Sequence, residues 1–288
     1  MNLFKQDVEC SDVLKEILSI QTKKYPKMDL VDLRPKSTFS QALPIDIFMK
    51  YNSEFEKKHE GLIPNEIHKF LSDFLSRDLS VEEWLNQIDD LRASNQDPLL
   101  IALVRIIRGS MPQFVRAISL GIFNPLLGIS RSHLNSFVHP CIEATLWHIA
   151  KVNYEFGSRP TTGAREEEQV SDTNKVASNL KKLYMKIIED CIENGRKLPR
   201  NLEVFGAQRI GLRLYLYTLN FCGKFILHEV DNVKLPGDFS DLVTYYEAIL
   251  KWALLANKSA LHIEEVQQEA RTSGVSYIKN LDAIKEEI

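Results

Sequence analysis

Four arginines, Arg105, Arg108, Arg116 and Arg131, stand in a 45-residue stretch, Pro98 to Ile142, that contains no Asp, Glu or Lys. A guanidinium group grips phosphate with two parallel N–H donors, and an acid-free neighbourhood leaves its field uncancelled. In a second stretch Arg196, Lys197, Arg200, Arg209, Arg213 and Lys224 face one acid, Glu203. The stretches carry +4 and +5 in a chain whose formal net charge is −3, so the remaining segments are acidic. Segregation of this kind points to a polyanion, because the local field rather than the total charge attracts phosphate.

Aromatic residues lie among the second set of cations. If Val204 to Phe225 is one helix, Arg209, Arg213 and Tyr217 lie along one side, with Lys224 near its end. Cations alternating with rings suit nucleic acid: guanidinium groups meet phosphates, and a ring face stacks on a base without reading its sequence. The expected phosphate contacts are Arg105, Arg108, Arg116, Arg131, Arg200, Arg209, Arg213 and Lys224, with Tyr217 stacking. The competing account pairs these arginines with carboxylates elsewhere and assigns Tyr215, Tyr217 and Phe221 to the core. The first four arginines are embedded among Leu99, Leu103, Ile106 and Val115, so each must emerge at a rim or meet a partner.

Other candidate chemistry fails on spacing. His133, His139 and Cys141 form H-x5-H-x-C, which matches no common zinc arrangement. Asp89-Asp90 is not followed at the interval a diphosphate-metal motif needs, and reads as a solvated helix end. No phosphate-binding glycine loop, zinc-protease motif or nucleophile elbow occurs. No metal, no cofactor and no enzymatic activity are expected.

The elements that must position the arginines read as helices almost throughout. Ser80-Val81-Glu82-Glu83 is a capping box ahead of Trp84, Leu85, Ile88 and Leu91. Asp97 caps and Pro98 opens a helix whose end Gly109 marks, with Pro112 and Gly121 breaking the next residues into short pieces. Val176 to Ile192 and Leu242 to Leu254 carry apolar stripes at helical spacing, while period-two alternation and Asn-Gly or Asp-Gly turns are missing.

The fold class expected is all-α, in two helical lobes. Residues 1–43 form an N-terminal arm and extended stretch, with a short helix over Ser11–Gln21 free to pack locally or grip another copy. Residues 44–157 form one lobe, 158–174 a polar loop or linker, 175–260 a second lobe and 261–288 a helical tail. Cys10, Cys141, Cys191 and Cys222 are far apart and read as reduced thiols, and the amino terminus lacks a signal-peptide pattern. A cytoplasmic setting with no membrane partner is the expectation.

This layout resembles the helical nucleocapsid proteins of segmented negative-strand RNA viruses and the coat proteins of flexible filamentous plant viruses. The resemblance rests on the general plan and on no residue motif. It implies a basic groove between two helical lobes, sequence-independent binding of single-stranded RNA, self-association through terminal arms, and a place in host cytoplasm or virion. The alternative is a helical adaptor that docks other proteins through Pro98–Ile129 and its basic patches. A pocket enzyme is a third possibility, which a cavity holding a carboxylate–histidine pair would favour.

Overall fold

Helix α1 (Asp12–Lys24) begins at Ser11, whose hydroxyl accepts from the Leu14 N–H at 3.3 Å. Its inner side carries Val13, Ile17 and Gln21, all buried against the same chain. Of the two expected alternatives, packing locally or gripping another copy, this face packs locally. In this computed structural model the described residues are 10–94, 96–124, 131–151, 166–196, 198–199 and 201–272. After α1 come strand β1 (Leu30–Asp32) and the short helix α2 (Thr38–Gln41), inside the stretch expected to be extended. Helices α3 (Ile45–His59), α4 (Asn65–Leu75) and α5 (Val81–Asp90) are next, and the capping box at Ser80 makes both of its hydrogen bonds.

Helix α6 (Pro98–Ser119) is the longest correction among the helices. It passes through Gly109 and Pro112 without stopping and ends only at Gly121, which turns at φ +62°. Pro112 has no N–H for the Arg108 carbonyl, a defect that costs a helix about 3 kcal/mol. Eleven buried residues of α6, among them Leu103, Ile107, Met111 and Phe114, outweigh that defect. By length and composition α6 is the one helix among the described residues apolar enough to cross a membrane, and 56% of its most apolar window is buried inside the protein.

Helix α7 (Arg131–Thr145) runs into a π-helical turn, Leu146–Ala150. Helix α8 (Glu166–Glu193) takes in residues 166–174, which the sequence reads as linker; 158–165 lie outside the described residues. Strands β2 (Val204–Ile210) and β3 (Arg213–Phe221) occupy the region read as one helix, and β4 (Phe225–Lys234) begins at its last residue. Helix α9 (Asp241–Thr272) comes last, and 273–288, the rest of the expected tail, lie outside the described residues.

The sheet order is β1-β4-β3-β2, with β1 parallel to β4 and the other pairs antiparallel. The chain is α/β, 62% helix and 13% strand, not all-α. The cause lies in coverage of both sheet faces. Tyr217, Leu219, Phe225 and Leu227 meet Ala177, Leu180, Tyr184 and Ile188 of α8. Leu214, Leu216, Val230 and Val233 meet Tyr245, Ile249 and Trp252 of α9 on the other side. A strand covered twice is apolar at nearly every position, so its alternation disappears. The first turn is Gly211-Leu212, with Gly211 at φ +56°, a Gly-first connection that a search for Asn-Gly passes over.

One core runs from Ile67 through Phe114 and Ile149 to Leu216, Trp252 and Ala256, crossing the expected boundary. Cys10 and Cys222 are joined in a disulfide, which corrects the reading of four reduced thiols; Cys141 and Cys191 are buried and stand outside that bridge. The bond ties the start of α1 to the β3–β4 loop across 212 residues. Closing so long a loop removes about 5 kcal/mol of denatured-state entropy in the chain-entropy account, and measured bridges give about 2–4 kcal/mol. Replacing both cysteines by serine is expected to lower the urea midpoint accordingly. Adding tris(2-carboxyethyl)phosphine to the natural chain should give the same midpoint; no difference in either case would rule out the bridge in solution.

Candidate anion-binding face

Successive residues of a helix turn by about 100°, so Arg105, Arg108, Gly109, Pro112 and Arg116 share one side of α6. Arg105, Arg108, Gly109 and Arg116 are exposed. Among the described residues no carboxylate lies within ion-pair distance of these three guanidinium groups. The row spans about 16 Å from Arg105 to Arg116 at the helical rise of 1.5 Å. Gly109 leaves open space between them, with nothing within 4 Å of where a side chain would begin. Arg131 opens α7, but its side chain lies outside the described residues, as does Arg200.

The second set of expected contacts is spent inside the fold. Arg209 is 8% exposed; its Nε donates to Asn135 Oδ1 at 2.7 Å and its Nη1 to the Gly211 carbonyl. Arg213 is exposed, with Nε and Nη2 donating to Asn232 Oδ1 at 3.2 and 2.7 Å. Lys224 Nζ donates to the Met28 carbonyl at 2.8 Å. Tyr217 is 1% exposed, with the Arg34 guanidinium 5.7 Å from its ring centre, so its face is closed to a base. Arg213 opens β3, a strand that at strand rise is about 27 Å long, and Lys224 follows its other end. They stand at opposite ends of that strand rather than side by side.

Tyr217 instead belongs to a polar cluster under the sheet. Arg34 pairs with Asp32, Tyr217 reaches Gln208 at 3.5 Å, and Glu229 accepts from Asn232 at 2.7 Å. Burial lifts Glu229 above the usual carboxylate range, opposed by the Asn232 hydrogen bond and the Arg34 charge. These groups satisfy one another across β1, β3 and β4. Their arrangement holds the sheet together.

The structure adds neighbours to α6 that sequence reasoning missed. Trp147, in the π-helical turn, is 56% exposed. His148 beside it is held below the ordinary histidine range, first by burial and then by the charges of Arg105 and Lys151. Lys151 ends the turn at φ +55° and donates from Nζ to the His148 carbonyl at 3.1 Å. The acid-free stretch closes at Ile142 because Glu143 comes next, which cuts these residues off from the arginines they approach.

The apolar residues of α6 are core, so Pro98–Ser119 does not offer them as a docking surface; Leu120, 71% exposed, is the large apolar side chain left outside. An open groove of about 620 Å³ between Leu30 and α8 carries Asp29, Lys181, Lys182 and Glu189 but no histidine. The carboxylate–histidine pair His68–Glu247 lies on the surface. Neither gives a pocket enzyme its machinery. Comparison with protein-family models, curated proteins and solved structures finds no match for this chain.

Proposed function

We propose that the chain binds single-stranded RNA without sequence preference, through phosphates laid along the exposed side of α6. The observation that carries this reading is the row Arg105, Arg108 and Arg116, exposed together and facing no carboxylate among the described residues. Guanidinium groups so placed keep their fork free for phosphate, and their field is not cancelled locally. Arg209 and Tyr217, both buried, make no contact in this reading.

Each phosphate neutralised on a single strand contributes about 0.7 to the slope of log affinity against log salt, so three contacts predict a slope near −2. Fluorescence anisotropy of labelled oligouridine at several sodium chloride concentrations measures it. Affinity indifferent to salt, or no binding at low salt, would remove the proposal. A protein partner presenting an acidic helix is the second reading, favoured by the exposed Trp147 and Leu120 beside arginine, since Trp and Arg dominate protein hot spots. Recovery of one stoichiometric protein after nuclease treatment would support that reading instead.

A further inference from the structure

The chain has three tryptophans, and two of them, Trp84 and Trp252, are at most 1% exposed. Trp84 packs against Phe74 and Phe239, and Trp252 donates its ring N–H to the Tyr217 carbonyl at 3.1 Å. Trp147 is different. More than half of its surface meets solvent although large apolar rings ordinarily gain by burial. It stands on a π-helical turn that closes with a lysine in the left-handed region, two uncommon backbone features in succession. Such features persist where the surrounding structure holds them, and they gather at functional sites.

The surroundings select the occupant. Arg105 from α6 and Lys151 from the end of the turn both act electrostatically on His148, the residue next to Trp147. An exposed ring with Lys151 one turn further along its own element, on a turn that packs against the arginine-bearing α6, matches a nucleotide, whose base offers a flat face and whose phosphate offers charge. Glu143, one turn earlier on α7, is exposed and in no ion pair among the described residues.

The geometry points to Trp147 as the base-stacking platform of the RNA-binding face, with Arg105 and Lys151 holding the phosphates on either side of the stacked nucleotide. This inference rests on the proposed RNA-binding function and adds to it the contact that distinguishes a nucleic acid from any other polyanion. It also transfers to Trp147 the role that the sequence suggested for the buried Tyr217.

Because Trp84 and Trp252 are buried and all three rings emit, quenching of the tryptophan emission by a base that stacks on a ring reports chiefly on Trp147. Titrating unlabelled oligouridine into the full chain should quench that emission with the midpoint found by anisotropy. Trp147→Ala is expected to weaken oligouridine binding about tenfold, within the range of one lost stacked base, and Trp147→Phe to restore most of it. Inorganic polyphosphate, which has no base, should compete in a salt-dependent manner, leave the emission unchanged and ignore Trp147→Ala. RNA binding without quenching, or with Trp147→Ala at natural affinity, overturns the stacking role while leaving the phosphate contacts standing. If neither oligouridine nor polyphosphate binds, the phosphate-binding reading fails and the stacking role fails with it. An exposed side chain contributes little to folding, and an unchanged thermal midpoint for Trp147→Ala checks this.

Discussion

Replacing Arg105, Arg108 and Arg116 together by alanine is expected to weaken single-stranded RNA binding by about a thousandfold. A hydrogen bond to a charged group is worth about 1.5 kcal/mol at the low end, and three of them amount to about 4 kcal/mol, or three decades in affinity. The salt slope should fall at the same time to about −0.7, the share of the remaining Lys151 contact, because the counterions those arginines displace are no longer released. Arg213→Ala and Lys224→Ala are the controls. The two cations bond to Asn232 and to the Met28 carbonyl respectively; Arg213 opens β3, Lys224 follows its other end, and neither lies on α6. Either change should leave affinity within about twofold, since a distant exposed charge is screened beyond about 8 Å at physiological salt. Arg209→Ala is a different experiment. That side chain is 8% exposed and anchors β2 to α7 through Asn135, so its loss would lower stability and confuse the reading. Anisotropy with the triple variant and both controls decides the matter, and a triple variant that binds normally would end the assignment of α6.

What could be read from residues alone depended on how many sides of an element meet solvent. Helix α5 was legible because Ser80 and Glu83 cap each other and Trp84 and Ile88 alone turn inward. The stripes of α8 and α9 were legible for the same reason, at least over their inner turns. Strand β3 was not. Leu214 and Leu216 face α9 while Tyr217 and Leu219 face α8, so neither face is polar enough to show a period of two. Arg209 and Arg213 happen to stand four apart, which imitates a helix side, yet they sit on two strands joined by Gly211-Leu212. The α6 arginines were found because charge segregation survives any error in secondary structure. Their shared face emerged only once Gly109 and Pro112 proved to be inside one helix, held there by burial of Ile107, Met111 and Phe114. Trp147 could not be found, since nothing in a lone tryptophan tells an outward ring from a core one.

Lowering the pH from 7 to about 4.5 is expected to destabilise the folded chain by about 3 kcal/mol through His228 alone. His228 lies on β4 under α3, 3% exposed, with the Phe55 ring stacked on it at 5.1 Å. The Tyr51 hydroxyl bonds to its Nδ1 and its Nε2 faces Asn220 Oδ1 at 3.3 Å. A neutral ring protonated on Nε2 satisfies both partners, accepting from Tyr51 and donating to Asn220. A second proton would take the acceptor from Tyr51 and place a charge where no carboxylate faces it. Burial accordingly pushes His228 down to about 3, with Lys58 and His59 adding in the same direction. His59, one α3 turn past Phe55, is pushed down to about 4 by burial first and then by Lys58, Lys251 and Lys258. In the unfolded chain both rings titrate near the ordinary value of about 6.5. Below that pH the unfolded state takes up protons that the folded state refuses, so stability falls as pH falls and the loss continues until the folded-state values are reached. Urea midpoints measured between pH 8 and 4 should be level above about pH 7 and decline below it. His228→Gln keeps an acceptor for Tyr51 but cannot be protonated, so it should flatten part of that decline. If the natural chain and His228→Gln fall in parallel, the acid limb belongs to other groups and His228 is not charged on unfolding in this range.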